Sequence, residues 1–147
     1  MSGRHSIDPM AWASLAALLT GLAIAAYLTV VHYRMGILVC AVGGDCHTVQ
    51  TSKYATVGPV PVAVLGLVLM ATVLGLWSLR ALDRLNEFSA TALIFVLLFT
   101  GLVCEGYLTY VEIWVLDAIC AWCVTFAAVL GFAAILEAIH LLQIEPA

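Results

Sequence analysis

The stretch Asp117-Ala-Ile-Cys120-Ala-Trp-Cys123 stands at the mouth of an apolar run that continues to residue 142. Two thiols three positions apart at the start of a helix share a face, close enough to open and close a disulfide. Unpaired backbone N–H groups and the positive end of the helix dipole favour a thiolate on the first of them. Asp117 is placed to be the N-cap, which would put Cys120 in the first turn with a carboxylate working against its thiolate. A Cys-x-x-Cys taken alone also fits a structural disulfide or half of a zinc site.

The run behind this pair sets the fold class. Of 147 residues, 65% are hydrophobic and 10% charged, and the mean hydropathy is +1.14. Such a chain cannot hide its apolar surface in one water-facing domain and belongs in a bilayer. Crossing about 30 Å of hydrocarbon takes about 20 helical residues. Runs of that length fall near 10–31, 60–79, 90–111 and 119–142. The expectation is an all-α, integral membrane four-helix bundle, residues 1–147 forming one transmembrane domain, with a cysteine-bearing loop between helices one and two. Arg4, His5 and the apolar residues up to Ala23-Ile24-Ala25 imitate a signal peptide. The run continues through Val31, too long for that reading. The net charge of −4 with five Lys+Arg and no basic patch argues against a nucleic-acid partner. Membrane lipid is the expected surroundings.

The loop over 35–58 carries Cys40, Gly43-Gly44, Asp45, Cys46, His47, Ser52 and Tyr54. The Gly pair and Asp45 supply a turn that could bring Cys40 and Cys46 together. Gly58-Pro59-Val60-Pro61 ends the loop with prolines suited to a helix first turn. Two crossings separate this loop from the one before Cys120, so both cysteine pairs face one side of the membrane. Tyr33, Tyr54, Trp114 and Trp122 mark that interface, and Trp12 and Trp77 the opposite one. Arg4, Arg80 and Arg84 flank the far face against Arg34 and Lys53, which points the cysteines outward. The expected place is an inner or plasma membrane, with the cysteines on the periplasmic or extracytoplasmic side.

Two dithiol pairs on one face suggest a relay in which Cys40 and Cys46 form a mobile carrier and Cys120 and Cys123 a fixed couple at membrane depth. A static loop staple is the alternative for the first pair. A dithiol in a bilayer needs an acceptor that dissolves there, and a quinone, ubiquinone or menaquinone, is the obvious one. Trp122 and Phe126, with Pro61, Val62 and Leu65, are candidate walls for it; plain packing explains such residues equally. Ionisable residues within spans are functional candidates. Glu105 is read as a proton relay or as a carboxyl bonded to a neighbouring helix, Glu112 as snorkelling to the interface, and Cys104 as a buried structural thiol. His140 is expected at the far interface. A disulfide-stapled structural protein is one rival, and a zinc site of Cys40, Cys46, Cys120 and Cys123 with His47 is another. No metal is expected.

In order and spacing, Cys40 and Cys46, Ser52, Gly58-Pro-Val-Pro61, Tyr107-Leu-Thr-Tyr-Val-Glu112 and Leu116-Asp-Ala-Ile-Cys120-Ala-Trp-Cys123 resemble the vitamin K epoxide reductase family. The likeness is to its short stand-alone bacterial form and spans all four helices. The resemblance implies a disulfide-forming oxidoreductase: Cys40 meets a soluble thioredoxin-fold dithiol protein on the outer face, Cys46 exchanges with Cys120, and Cys123 faces the quinone. Ser52 matches a serine that helps position the active site. Ala121 stands where many bacterial members have Pro. Residues near Val62, and Ala127, replace the Asn and Tyr associated with vitamin K epoxide, so plain quinone reduction is favoured over epoxide reduction.

Overall fold

The computed structural model describes residues 8–34 and 44–144; Cys40 lies outside them. Among the described residues four helices are long and apolar enough to cross a membrane: α1 (Pro9–Arg34), α3 (Val62–Ala81), α4 (Glu87–Trp114) and α5 (Ala121–Gln143). A short helix α2 (Cys46–Thr51), a 3₁₀ turn (Lys53–Ala55) and two two-residue strands, β1 (Thr56–Val57) and β2 (Val60–Pro61), connect the first span to the second.

Local chemistry sets these boundaries. Pro9 opens α1, where its missing N–H has no intrahelical partner in any case. Asn86 caps α4 by accepting the Ser89 N–H at 3.1 Å, and Glu87 places a negative charge in the first turn. The end of α3 is a Schellman motif. Asp83 takes φ +54°, its N–H bonds the Arg80 carbonyl at 3.0 Å, and the Arg84 N–H bonds the Leu79 carbonyl at 2.9 Å. Gly58, at φ +60°, begins the turn that pairs Thr56 with Pro61 and Val57 with Val60. A glycine followed by Pro59 suits a type II′ hairpin, because the first central residue must have positive φ. Pro61 is therefore the N-cap of α3, one residue ahead of the first turn expected for it.

The spans form a ring in which α1 packs on α3 and α5, and α4 packs on the same two. Leu18, Met70, Ile94, Leu98 and Leu130 fill its axis, each at most 1% exposed. Hydrocarbon gives little hydrophobic drive to such packing, so dispersion and polar contacts between helices hold the ring. The outer surface stays apolar; α3 is the most hydropathic span and the least buried. Several hydroxyls inside the spans are satisfied locally. Thr20, Thr29, Thr72, Thr100 and Thr125 each bond the carbonyl four residues back at 2.7–2.8 Å.

At the end away from the cysteines, Arg80 binds Glu137 through two nitrogens at 2.6 and 3.1 Å and Thr91 Oγ1 at 2.8 Å. This joins α3, α4 and α5, and Glu137 is 2% exposed. His140 lies 3.2 Å from Glu87 beside it, at the end of the bundle away from Cys120 and Cys123.

Candidate active site

The site grows from how α4 ends. Beyond Trp114 the chain does not run straight into α5. The Leu116 N–H reaches back to the Val111 carbonyl, and the Ala118 N–H to that of Glu112, both at 3.0 Å. Asp117 turns the chain with φ +50°, a left-handed value an aspartate tolerates better than most residues. Cys120 is itself the N-cap of α5, and its carbonyl accepts the Val124 N–H. The expected cap at Asp117 is thus corrected: that residue is spent on the turn, and the helix begins at Ala121.

Glu112 makes this turn possible. Its carboxylate accepts the Cys120 backbone N–H at 3.0 Å and interacts with the Cys123 thiol. Glu112 is 2% exposed, so it does not snorkel to the interface. A short helix end with orphan N–H groups needs an acceptor, and the carboxylate meets that need from inside the bundle. The signal in the sequence was an acidic residue directly after an apolar run, two positions short of the helix end.

Cys120 is fully buried and Cys123 half-buried; both are free thiols. The hydrogen bond from the Cys123 side chain, helped by the backbone N–H groups of Cys123 and Trp122, holds the Cys120 thiol below the ordinary cysteine range. Burial and the Glu112 charge oppose that shift without reversing it.

The loop pair is represented by Cys46, which opens α2, is 1% exposed and is disulfide-bonded. Asp45 caps α2 by accepting from the Thr48 N–H at 3.0 Å and the Thr48 hydroxyl at 2.5 Å. These bonds lower the Asp45 carboxyl below its ordinary value. Gln50, on α2, places its side-chain amide 3.8 Å from Cys123 Sγ. Gly44 lies against the backbone before α5, where a Cβ would collide with the Ile119 carbonyl oxygen. Cys46 and Cys120 belong to one packed cluster. Cys46 therefore sits at the same end of the bundle as Cys120 and Cys123, as the crossings required.

Cys123 opens onto a cavity of about 50 Å³ bounded by Gln50, Ser52, Glu105, Glu112 and Phe126 among others. Beside it a groove of about 540 Å³ runs down the lipid-facing seam of α3 and α4. Tyr54, Val62, Gly66, Glu105, Leu108 and Phe126 line both, so cavity and groove adjoin. Of the walls expected for a quinone, Val62 and Phe126 stand at this junction and Leu65 lies on the groove. Pro61 and Trp122 line neither; the Trp122 ring packs on Tyr27 of α1 at 4.9 Å. Ser52 ends α2 and lines the cavity, with its hydroxyl donating to the Val49 carbonyl at 2.8 Å. Cys104 is exposed on the groove wall, correcting the buried role expected of it. Gln50 is the contact that sequence reasoning missed altogether, since nothing in a polar loop residue announces a thiol 73 positions away.

The arrangement is redox-competent: a dithiol at a helix start, a neighbouring short helix that opens on a disulfide-bonded cysteine and touches the dithiol through Gln50, and an opening toward lipid. Comparison with the curated proteins finds no match. The model of the vitamin K epoxide reductase family matches residues 12–138, taking in Cys46, Glu112, Cys120 and Cys123 and most of every span. On that match the chain belongs to the vitamin K epoxide reductase family, as a membrane-embedded oxidoreductase.

Proposed function

We propose that this protein is a quinone-dependent thiol–disulfide oxidoreductase that reoxidises a soluble thioredoxin-like dithiol protein and so supports disulfide formation in exported proteins. The observation that carries this reading is the placement of Cys123. It touches Gln50 of the disulfide-bearing α2 on one side and a cavity continuous with a lipid-facing groove on the other. The apolar walls at Val62, Leu65 and Phe126 suit a ring that dissolves in the bilayer, and the groove lies within the usual size of small-molecule sites.

The partner's dithiol reduces the Cys40–Cys46 disulfide. Cys46, as thiolate, attacks Cys120 Sγ of an oxidised Cys120–Cys123 pair, and Cys123 leaves as the thiol. Cys40 then closes on Cys46 and frees Cys120. A disulfide at Cys46 with free thiols at Cys120 and Cys123 is the state this sequence reaches before the final step. The quinone supplies a two-electron acceptor, becoming quinol while Cys120 and Cys123 re-form their bond. A difference of about 30 mV drives such a transfer by about 1.4 kcal/mol, so modest differences in potential fix its direction. The cysteines face the periplasmic or extracytoplasmic side in this reading, where an oxidising environment suits them.

The test is turnover by the purified full-length chain given a small dithiol or the reduced partner, with a short-chain quinone as acceptor. Cys120→Ala and Cys123→Ala should abolish quinone reduction, while Cys40→Ala should block the protein partner and spare small dithiols. Wild-type turnover by Cys123→Ala would end the scheme. Trapping on Cys46→Ala identifies the partner, and labelling with a membrane-impermeant thiol reagent reports the side.

A further inference from the structure

Glu105 is the one carboxyl in the middle of a span that makes no hydrogen bond to any described residue. The alternative expected for it, a bond to a neighbouring helix, is absent among those residues. Unpartnered carboxyls in hydrocarbon are costly, and one retained inside a span marks a functional position. Its place is specific: it lines both the cavity beside Cys123 and the lipid-facing groove. Glu112 lies seven residues further along α4, two turns or about 10 Å along the axis and on the same face. Both carboxyls line the small cavity, as do Gln50, Ser52 and Cys123. A space of about 50 Å³ with this many polar partners has room for water, which needs about 10–15 Å³ of such volume.

We infer that Glu105 is the acid that delivers protons to the quinone oxygen, resupplied from the Cys123 thiol through Glu112 and cavity water. This rests on the quinone reading above. When Cys120 and Cys123 join, two electrons leave the sulfurs and two thiol protons are released. Reducing the quinone to the quinol takes up both electrons and two protons. Glu105 gives its proton to the oxygen and regains one from the thiol side; two passes balance the reaction. A ring travelling from the groove toward Cys123 passes Glu105, which the acid form can greet as a hydrogen-bond donor.

The other titratable groups around Glu105 do not duplicate it. Glu112 and Cys120 act on it electrostatically from the cysteine end. Cys123 shares its cavity, and Lys53, Tyr54, Cys104 and Tyr107 lie along the groove. From α3 and α1 the walls are Val62, Ala63, Leu65, Gly66, Ala25 and Leu28, none of which carries a proton to give.

Glu105→Gln keeps size and hydrogen bonding but cannot donate an acidic proton. In the full-length protein, with saturating small dithiol and a short-chain quinone, it should lower kcat about 100-fold, with KM for quinone held within about threefold. The wild-type fall in kcat with rising pH, as the acid form is lost, should vanish in the variant, and Glu105→Asp should restore part of the rate. Independently of turnover, quinone added to the wild type should perturb a protonated-carboxyl band in the infrared difference spectrum, and Glu105→Gln should lack that band. Single-turnover exchange between the cysteine couples should be unchanged, showing a folded protein. Wild-type kcat and pH profile in Glu105→Gln, with Cys123→Ala inactive, would overturn the role of Glu105 and leave the quinone reading standing. A wild-type protein that never reduces quinone would overturn both.

Discussion

The Glu112 carboxylate accepts the backbone N–H of Cys120 at 3.0 Å, so the acid that shapes the end of one span also seats the first residue of the redox pair. Glu112→Ala should leave that buried N–H without a partner and cost about 1–3 kcal/mol, read as a lower midpoint of unfolding in detergent. Glu112→Gln keeps an acceptor and should recover most of the loss. Because the Glu112 charge raises the Cys120 thiol pKa, Glu112→Gln should also move the Cys120 titration to lower pH. A titration that stays in place would show that this charge does not reach the sulfur.

The Cys123 side chain is the largest influence holding the Cys120 thiol below its ordinary value. Cys123→Ala should therefore raise the Cys120 titration toward or beyond the free-cysteine range, since burial then acts with less opposition. Thiolate absorbance followed against pH, in a background lacking Cys40, Cys46 and Cys104, checks this. The thiolate fraction at neutral pH should fall in the variant; an unchanged curve would locate the shift in the helix N–H groups alone.

Gly44 against the Ile119 carbonyl predicts a penalty confined to the loop. Gly44→Ala should push α2 away from the start of α5, at a cost of about 1–3 kcal/mol for forced overpacking. Exchange between Cys46 and Cys120, followed by rapid quenching and mass analysis, should slow by at least about tenfold, because small misplacements of reacting atoms are costly. Direct oxidation of Cys120 and Cys123 by quinone should change far less. Equal slowing of both steps would mean that the substitution disturbs the whole bundle.

Arg80 and Glu137 form a nearly buried pair, with side chains 12% and 2% exposed. Removing one partner strands a charge, so Glu137→Leu should destabilise by about 3–5 kcal/mol, whereas Arg80→Met with Glu137→Leu should return most of that. Thermal unfolding of the two variants decides the matter. A double variant as weak as the single one would assign the loss to packing.

Much of the architecture was legible in the chain because membrane spans announce themselves by length and hydropathy. The four runs expected near 10–31, 60–79, 90–111 and 119–142 correspond to α1, α3, α4 and α5, with ends displaced by up to three residues. Capping, which hydropathy does not see, accounts for those displacements: Asn86 starts α4 ahead of its apolar run, and Pro61 and Cys120 delay α3 and α5. The crossings also required the loop cysteines to share an end with Cys120 and Cys123, and Cys46, the one described, does. Side-chain direction was not legible. Whether Glu112 points to water or to the Cys120 N–H depends on how the chain turns at Asp117, and a positive φ at an aspartate leaves no trace in composition. Trp122 and Phe126 are four positions apart, yet one meets Tyr27 and the other the cavity, because α5 has neighbours on both sides. The lipid-facing position of Cys104 was hidden for the same reason, since rotation of an all-apolar helix is set by its neighbours.

The seam between α3 and α4 opens toward acyl chains, so whatever fills it arrives by lateral diffusion. Occupancy then follows the ligand's mole fraction in the lipid, and diluting a vesicle suspension with buffer changes nothing the protein senses. Adding empty vesicles that exchange lipid with the first would lower it.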